Sequence, residues 1–224
     1  MAANLGHVAV NDGRGKAEKT RDALLGAGIQ LFSEQGYDAT STRQVEALAG
    51  VQRNLMTYHF GGKEEFWKAC MTELNGQMAA LLAPAFDQSK DIEPGERVRF
   101  LIRRYVRASA ALPQIARIMF DEGRSEGWRL EWLVENYIRP FYAAMTQAFE
   151  DGLQGHSLPN IPPANFYYFV TGSGAMFSMA AEFTLLTGRD AFDEAMVDAQ
   201  AESMANLLTG NTAPAVAAGE PAND

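Results

Sequence analysis

A short run of polar side chains near the N-terminus has the residue types and the spacing to contact DNA. Arg53, Asn54 and Thr57 are predicted to face outward from one short helix that starts at Gln52. Arginine pairs well with guanine, and asparagine pairs well with adenine, in the major groove. Three further side chains can reach backbone phosphates: Tyr58, His59 and Lys63. The pattern therefore indicates a helix that reads base edges.

The elements that must position these side chains form a predicted helix-turn-helix. Ser41 followed by Gln44 is a capping box, which predicts a helix over 41–48. Gly50 suits the tight turn that follows because glycine tolerates a positive φ. The second helix of such a pair enters the major groove. The residues expected to be buried in the pair are Val45, Leu48, and either Leu55 or Met56.

Three motifs occur in order across residues 20–70: LFSEQGYDATS, then AGV, then YHF with a lysine three residues later. This stretch resembles the N-terminal DNA-binding domain of the TetR family of bacterial transcription regulators. The alternative is a helical hairpin whose polar residues only face solvent. The resemblance implies a double-stranded DNA operator that is palindromic and is read by a homodimer.

The resemblance also implies roles for individual positions. Arg43 falls where family members contact a base or a phosphate. The recognition-helix face would carry Gln52, Arg53, Asn54 and Thr57. The backbone phosphates would be held by Ser41, Thr42, Tyr58, His59 and Lys63.

The chain departs from the family pattern at four positions. Serine is common at position 52, glycine at 54 and tyrosine at 57, so the operator sequence does not follow from the resemblance. Glu46 stands where alanine is common, and the sequence leaves its burial open.

The rest of the chain favours an all-α fold of about nine helices, because strand-like alternation and hairpin turns are almost absent. A long helix from Lys63 is predicted to stop near Pro84, and Pro140 is expected to bend the helix over 128–151. The predicted organisation is a flexible basic N-terminal arm (1–16), a helix-turn-helix domain (17–62), a helical effector-binding and dimerisation domain (63–209) and a disordered tail (210–224).

Basic residues precede or open the first helix: Arg14, Lys16, Lys19 and Arg21. They could form an arm that reaches phosphates or the minor groove, or a solvated tail. The net charge of −9 would disfavour DNA, but the acidic excess lies after residue 70. Arginines 97, 99, 103, 104 and 107 are expected to lie mostly at the surface, paired with those acids.

The resemblance implies that the C-terminal helices form a homodimer and hold a small-molecule effector. The dimer interface is expected on helices about 164–187 and 191–208, with burial inside one subunit as the alternative. A chamber for an apolar or aromatic effector is expected between helices 95–111, 113–121, 128–151 and 164–187. Its candidate lining residues, each of which could instead be ordinary core, are Arg103, Tyr105, Arg117, Phe120, Trp132, Asn136, Phe141, Tyr142, Tyr167 and Met176.

No catalytic motif supports an enzyme. The three histidines (His7, His59 and His156) are scattered, and Cys70 fits a core thiol better than a nucleophile. No cofactor or metal is expected. The single cysteine, the lack of a long apolar run and the lack of a signal sequence indicate a soluble cytoplasmic protein that does not enter membranes.

The function expected from the sequence is therefore a homodimeric transcriptional repressor that a ligand releases from DNA. The alternatives are a regulator of the same family without a small-molecule effector and, less favoured, a helical ligand-binding protein or enzyme.

Overall fold

A computed structural model of the chain describes residues 15–155 and 158–210. The predicted N-terminal arm, apart from its last two residues, and the predicted tail, apart from Gly210, lie outside the described residues. His7, Arg14 and His156 lie outside them too.

The described residues are mostly helical and contain no strand, which confirms the all-α prediction. The helices are α1 (Lys16–Ala39), α2 (Thr42–Leu48), α3 (Leu55–Phe60), α4 (Lys63–Gln88), α5 (Pro94–Ala111), α6 (Pro113–Glu122), α7 (Trp128–Leu133), α8 (Arg139–Gln154), α9 (Pro163–Gly172), α10 (Ala175–Ser178), α11 (Ala180–Thr187) and α12 (Glu194–Thr209). A π-helical turn, Val134–Ile138, joins α7 to α8. Two predicted helices, 128–151 and 164–187, are each interrupted. The first is divided into α7 and α8 by the π-helical turn, and the second into α9, α10 and α11, which accounts for the difference from the predicted count of nine.

The two prolines inside predicted helices have different outcomes. α4 continues through Pro84 to Gln88, so the stop predicted there is wrong. Pro84 itself is exposed, whereas Leu82 and Ala85 beside it are buried, and this packing holds the helix together despite the missing donor. The irregularity expected near Pro140 takes the form of the π-helical turn that ends two residues before it.

The chain divides into two compact units, Met1–Thr72 and Glu73–Asp224. The domain boundary predicted at residue 62 thus falls ten residues before the end of the first unit. That unit extends into α4 because Phe66, Trp67 and Cys70 are fully buried in it. Phe66 packs against Phe32 of α1 and Phe60 of α3, with ring centroids 5.8 and 4.9 Å apart.

In the second unit, α5 packs along α12. Three arginine contacts join the two helices: Arg99 Nη1 to Asn206 Oδ1 (3.2 Å), Arg103 Nη2 to Glu202 Oε2 (2.7 Å) and Arg107 Nε to Asp198 Oδ1 (2.9 Å). Both helices use positions four residues apart, which lie on one helical face. The partners run in opposite sequence order, so the helices are antiparallel. Arg103 and Arg107 pair with acidic residues as expected, but Arg99 is buried and the other four arginines of α5 are half-buried rather than exposed.

No single helix in the described part of the chain is long and apolar enough to cross a membrane. The helices Pro163–Ser178 and Ala180–Thr187 meet that criterion only when taken together, and a bend of 71° separates them.

Candidate nucleic-acid interface and ligand chamber

The start of α2 carries the capping box that the sequence predicts. The amide of Gln44 donates to Ser41 Oγ (3.2 Å), and the amide of Ser41 donates to Gln44 Oε1 (2.8 Å). These two bonds satisfy amides that the helix itself leaves without acceptors. Thr42 and Arg43 lie exposed on the first turn of this fixed helix end.

The buried face of α2 differs from the predicted one. Val45 is buried as expected, but Leu48 is 47% exposed, so the burial predicted for Leu48 is wrong. At about 100° per residue, Val45, Glu46 and Ala49 share one side of the helix and Leu48 lies on its flank. Glu46, rather than Leu48, is therefore buried together with Val45, and only 6% of its surface is exposed.

The candidate recognition helix starts later than predicted. α3 begins at Leu55, and Gln52, Arg53 and Asn54 lie on the connection before it rather than on the helix. The reason is Asn54, whose φ of 67° is left-handed and incompatible with a helix interior. Asparagine tolerates this conformation better than most residues, so it can occupy a position where glycine would also fit. Of the two core candidates, Met56 is the buried one.

All ten candidate DNA contacts lie between residues 41 and 63 of the first unit. Eight are exposed: Ser41, Thr42, Arg43, Gln52, Arg53, Asn54, Thr57 and Tyr58. Two are half-buried: His59 and Lys63. The ammonium of Lys63 lies 4.3 Å from the centroid of the Tyr37 ring and donates to the carbonyl of Asp38 (3.5 Å). Its side chain is thus held in place by α1.

A cavity of about 840 Å³ opens in the second unit. Its walls are α4 to α9 and the π-helical turn, and they are mostly aliphatic and aromatic. They are formed by Asn75, Met78, Ala79, Leu82, Ala83, Phe86, Tyr105, Ile115, Ala116, Met119, Phe120, Gly123, Arg124, Leu130, Val134, Asn136, Tyr137, Ile138, Pro140, Phe141, Tyr167, Tyr168 and Thr171. A cavity of this size and composition is typical of sites for small organic ligands.

Five of the ten predicted chamber residues line the cavity: Tyr105, Phe120, Asn136, Phe141 and Tyr167. The other five do not. Arg103 is paired with Glu202 of α12, and Arg117 donates to the carbonyl of Ser178. Trp132 packs on Tyr137, Tyr142 packs edge-on against Tyr167, and Met176 packs against the core.

One wall of the cavity was not predicted from the sequence. Six lining residues come from α4, among them Met78, Leu82 and Phe86. Their spacing of four residues places them along one helical face. The same spacing is present in the sequence. The helix was expected to stop at Pro84, so this face was not predicted as a wall of the chamber.

The polar groups in the cavity are mainly neutral. Burial raises the pKa of the Tyr105 hydroxyl, although a hydrogen bond with Ser109 opposes that rise. Burial also raises the pKa of Tyr167, and the neighbouring tyrosines 105, 168 and 142 raise it further. Both hydroxyls therefore stay protonated at neutral pH. Among the lining residues the one charged side chain is Arg124, which pairs with Asp121 (Nη2–Oδ1 2.5 Å).

The helices of the second unit also expose an apolar surface. Leu185 and Leu186 of α11 are 88% and 79% exposed. Phe169 of α9, Met179 before α11 and Leu207 of α12 are exposed as well. We call these five residues the apolar face. Contiguous exposed apolar patches mark interaction sites, whereas single exposed apolar residues are common on any surface.

Comparisons with known proteins fit this geometry. Residues 24–70 match the family described as bacterial regulatory proteins, tetR family. The transcriptional regulator RutR of Escherichia coli (strain K12) is 21% identical over 195 residues, which cover 87% of this chain and 91% of RutR.

Two solved structures share the fold. HlyIIR, a hemolysin II transcriptional regulator, superposes with a TM-score of 0.66 at 19% identity over 86% of this chain and 98% of its own. AibR, solved in complex with isovaleryl coenzyme A and operator DNA, gives a TM-score of 0.68 at 15% identity over 85% of this chain and 98% of its own.

Proposed function

The chain is a member of the TetR family of bacterial regulators, and we propose that it is a homodimeric repressor that a small apolar or aromatic ligand releases from DNA. The observation that carries the proposal is the exposed polar surface between residues 41 and 63, held on a capped helix pair within the segment that matches the family. Such a pair places its second helix in the major groove. Arg53, Asn54 and Thr57 would read bases, and Ser41, Thr42, Tyr58 and the other predicted contacts would hold phosphates.

The homodimer is supported by the apolar face. It lies on α9 to α12, the helices on which the sequence predicts the interface. Two copies related by a two-fold axis would each cover the other's leucines, since such an interface is self-complementary. They would present two copies of α3 to the half-sites of a palindrome.

Release by a ligand is supported by the cavity. Its walls are mostly apolar, and apart from Arg124, which pairs with Asp121, its polar side chains are neutral hydroxyls and amides, which suits an uncharged or weakly polar molecule. The ligand would act by binding more tightly to a form of the dimer whose two recognition helices no longer fit the half-sites. AibR, which shares the fold, was solved in complex with isovaleryl coenzyme A and operator DNA, which supports ligand binding by this fold but not release by the ligand.

DNA binding can be tested with sequences that the protein selects from random duplexes. Arg53→Ala is expected to weaken binding by at least about fivefold and to relax selectivity at one position in each half-site, because an arginine–guanine pair contributes about 1–3 kcal/mol. Lys63→Ala should weaken binding on all sequences alike and reduce the slope of affinity against salt. Titrations by fluorescence anisotropy at several salt concentrations measure both effects.

Arg139→Ala is the matched control, because it removes the same charge from an exposed pair with Glu135 in the second unit. If Arg53→Ala and Lys63→Ala bind as tightly as Arg139→Ala, the DNA-reading role is rejected.

The chamber can be tested with 1-decanol and naphthalene as an uncharged aliphatic and an aromatic probe. A probe that fits should raise the thermal midpoint by about 5–10 °C at one hundred times its Kd, which corresponds to about 2.7 kcal/mol. Ala116→Trp, whose side chain would fill part of the cavity, should abolish the shift and any release from DNA. Ala111→Trp, at the exposed end of α5 and outside the lining, should retain both. If the Ala116 variant responds as the wild type does, the ligand does not act through this cavity.

A further inference from the structure

Glu46 is a buried charged residue of the helix-turn-helix that the proposed contacts do not use. It lies on α2 and is almost fully buried. Its Oε1 accepts a hydrogen bond from the backbone amide of Met56, ten residues later, at 3.1 Å. A buried carboxylate is costly unless hydrogen bonds compensate it, so this contact has a specific structural role.

The amide that donates to Glu46 has no acceptor within α3. Met56 is the second residue of the helix, and the first amides of any helix have no partner within it. The residue at the N-cap position, Asn54, is left-handed and its side chain makes no capping hydrogen bond. Glu46 therefore acts as a cap supplied from the preceding helix.

The backbone of Glu46 fixes the same connection from its other end. The amide of Val51 donates to the carbonyl of Glu46 at 3.0 Å. The side chain and main chain of one residue thus hold the chain at Val51 and again at Met56. Arg53 and Asn54 lie between these two points, exposed and directly before α3.

A six-residue helix has little stability of its own, so its orientation depends on such fixed points. We propose that Glu46 is a positioning residue that sets the start and the orientation of α3 and thereby the affinity for DNA. The inference rests on the proposed DNA-binding function. The group responsible is the acceptor oxygen of Glu46. It binds the amide of Met56 and so fixes the position of Arg53 relative to α3.

Two variants separate this role from simple packing. Glu46→Gln keeps an acceptor oxygen of the same reach, whereas Glu46→Met keeps a similar length and removes the acceptor. Glu46→Met is expected to bind the selected duplex at least about fivefold more weakly, since removing one partner of a buried hydrogen bond costs about 1–3 kcal/mol. Glu46→Gln should bind within about threefold of the wild type. Both titrations are made well below the thermal midpoints of the variants.

Hydrogen exchange at the amide of Met56 gives a readout that needs no DNA. We expect this amide to exchange at least about tenfold faster in Glu46→Met than in the wild type or in Glu46→Gln. Glu34→Gln, on the exposed side of α1, removes one carboxylate charge from the same unit and should change neither readout.

The outcomes distinguish the two proposals. If the wild type selects DNA but Glu46→Met binds it equally tightly with unchanged exchange at Met56, the positioning role is rejected and the DNA-binding function stands. If Glu46→Gln loses as much affinity as Glu46→Met, the acceptor oxygen is not the cause and the positioning role is again rejected. If the wild type selects no DNA at all, the proposed function is rejected, and with it the role of Glu46 in affinity.

Discussion

Replacing Gly28 with valine is expected to unfold the N-terminal unit or to leave it without measurable DNA binding. Gly28 lies on the buried side of α1, and a Cβ added there would lie 2.4 Å from Phe66 Cζ and 2.6 Å from Cys70 Sγ. Real Cβ atoms essentially never approach other atoms so closely. Neither neighbour can move aside, because both Phe66 and Cys70 are fully buried. The closeness of α1 to α4 thus requires glycine at this position.

The expected loss of stability is large for one substitution. Adding a methylene to a well-packed core costs about 1–3 kcal/mol, and valine adds three carbons at a point without space, so we expect at least about 3 kcal/mol. Unfolding in urea measures the change, followed through tryptophan fluorescence, to which the buried Trp67 of the same unit contributes together with Trp128 and Trp132. The Phe32, Phe60 and Phe66 rings pack together beside this point, so α3 would lose its support as well.

Gly26, two residues earlier on the same helix, is a matched control. A Cβ at this exposed position would meet no atom within 4 Å. Gly26→Ala should therefore be neutral or stabilising by about 0.5–1 kcal/mol, since alanine favours the helix over glycine. An unfolding midpoint for Gly28→Val equal to that of Gly26→Ala would contradict the packing of α1 on α4.

The features that could be predicted from the sequence are those whose causes are local. The capping box of Ser41 and Gln44 depends on two side chains three residues apart, and it is present with both bonds. Gly50 adopts the positive φ expected of the turn, at 65°. Helical periodicity over tens of residues was enough to give the all-α class, because the buried faces repeat with the helix.

The features that were missed depend on contacts between distant parts of the chain. The carboxylate of Glu46 is buried where it accepts a hydrogen bond from an amide ten residues away, and the local sequence does not reveal that partner. The pairing of Arg103 with Glu202 joins residues 99 positions apart, so a polar residue expected in the chamber lies between helices instead. The late start of α3 follows from the left-handed backbone of Asn54. An asparagine in the sequence allows this conformation but does not require it, so the start could not be predicted.

Replacing Leu185 with glutamate is expected to convert the proposed dimer to monomers and to weaken operator binding by at least about one hundredfold. Leu185 projects from α11 with almost all of its side chain exposed, so the folded subunit loses little when it is replaced. In a two-fold interface the introduced carboxylates are buried twice without partners, which is costly. A monomer binds one half-site at a time and loses the gain of about 10²–10⁴ that linking two half-sites provides.

Two measurements separate loss of the dimer from damage to the DNA-binding unit. Sedimentation equilibrium should show the mass fall from twice 24.5 kDa to 24.5 kDa. Binding to a duplex with one half-site should stay as in the wild type, because Leu185 lies outside the unit that carries the DNA contacts. Ile92→Glu, at a partly exposed position on the loop between α4 and α5, introduces the same charge away from the apolar face and should remain dimeric. If Leu185→Glu also remains dimeric and binds the full operator as the wild type does, the interface lies elsewhere, because a buried unpaired charge at that leucine could not leave association intact.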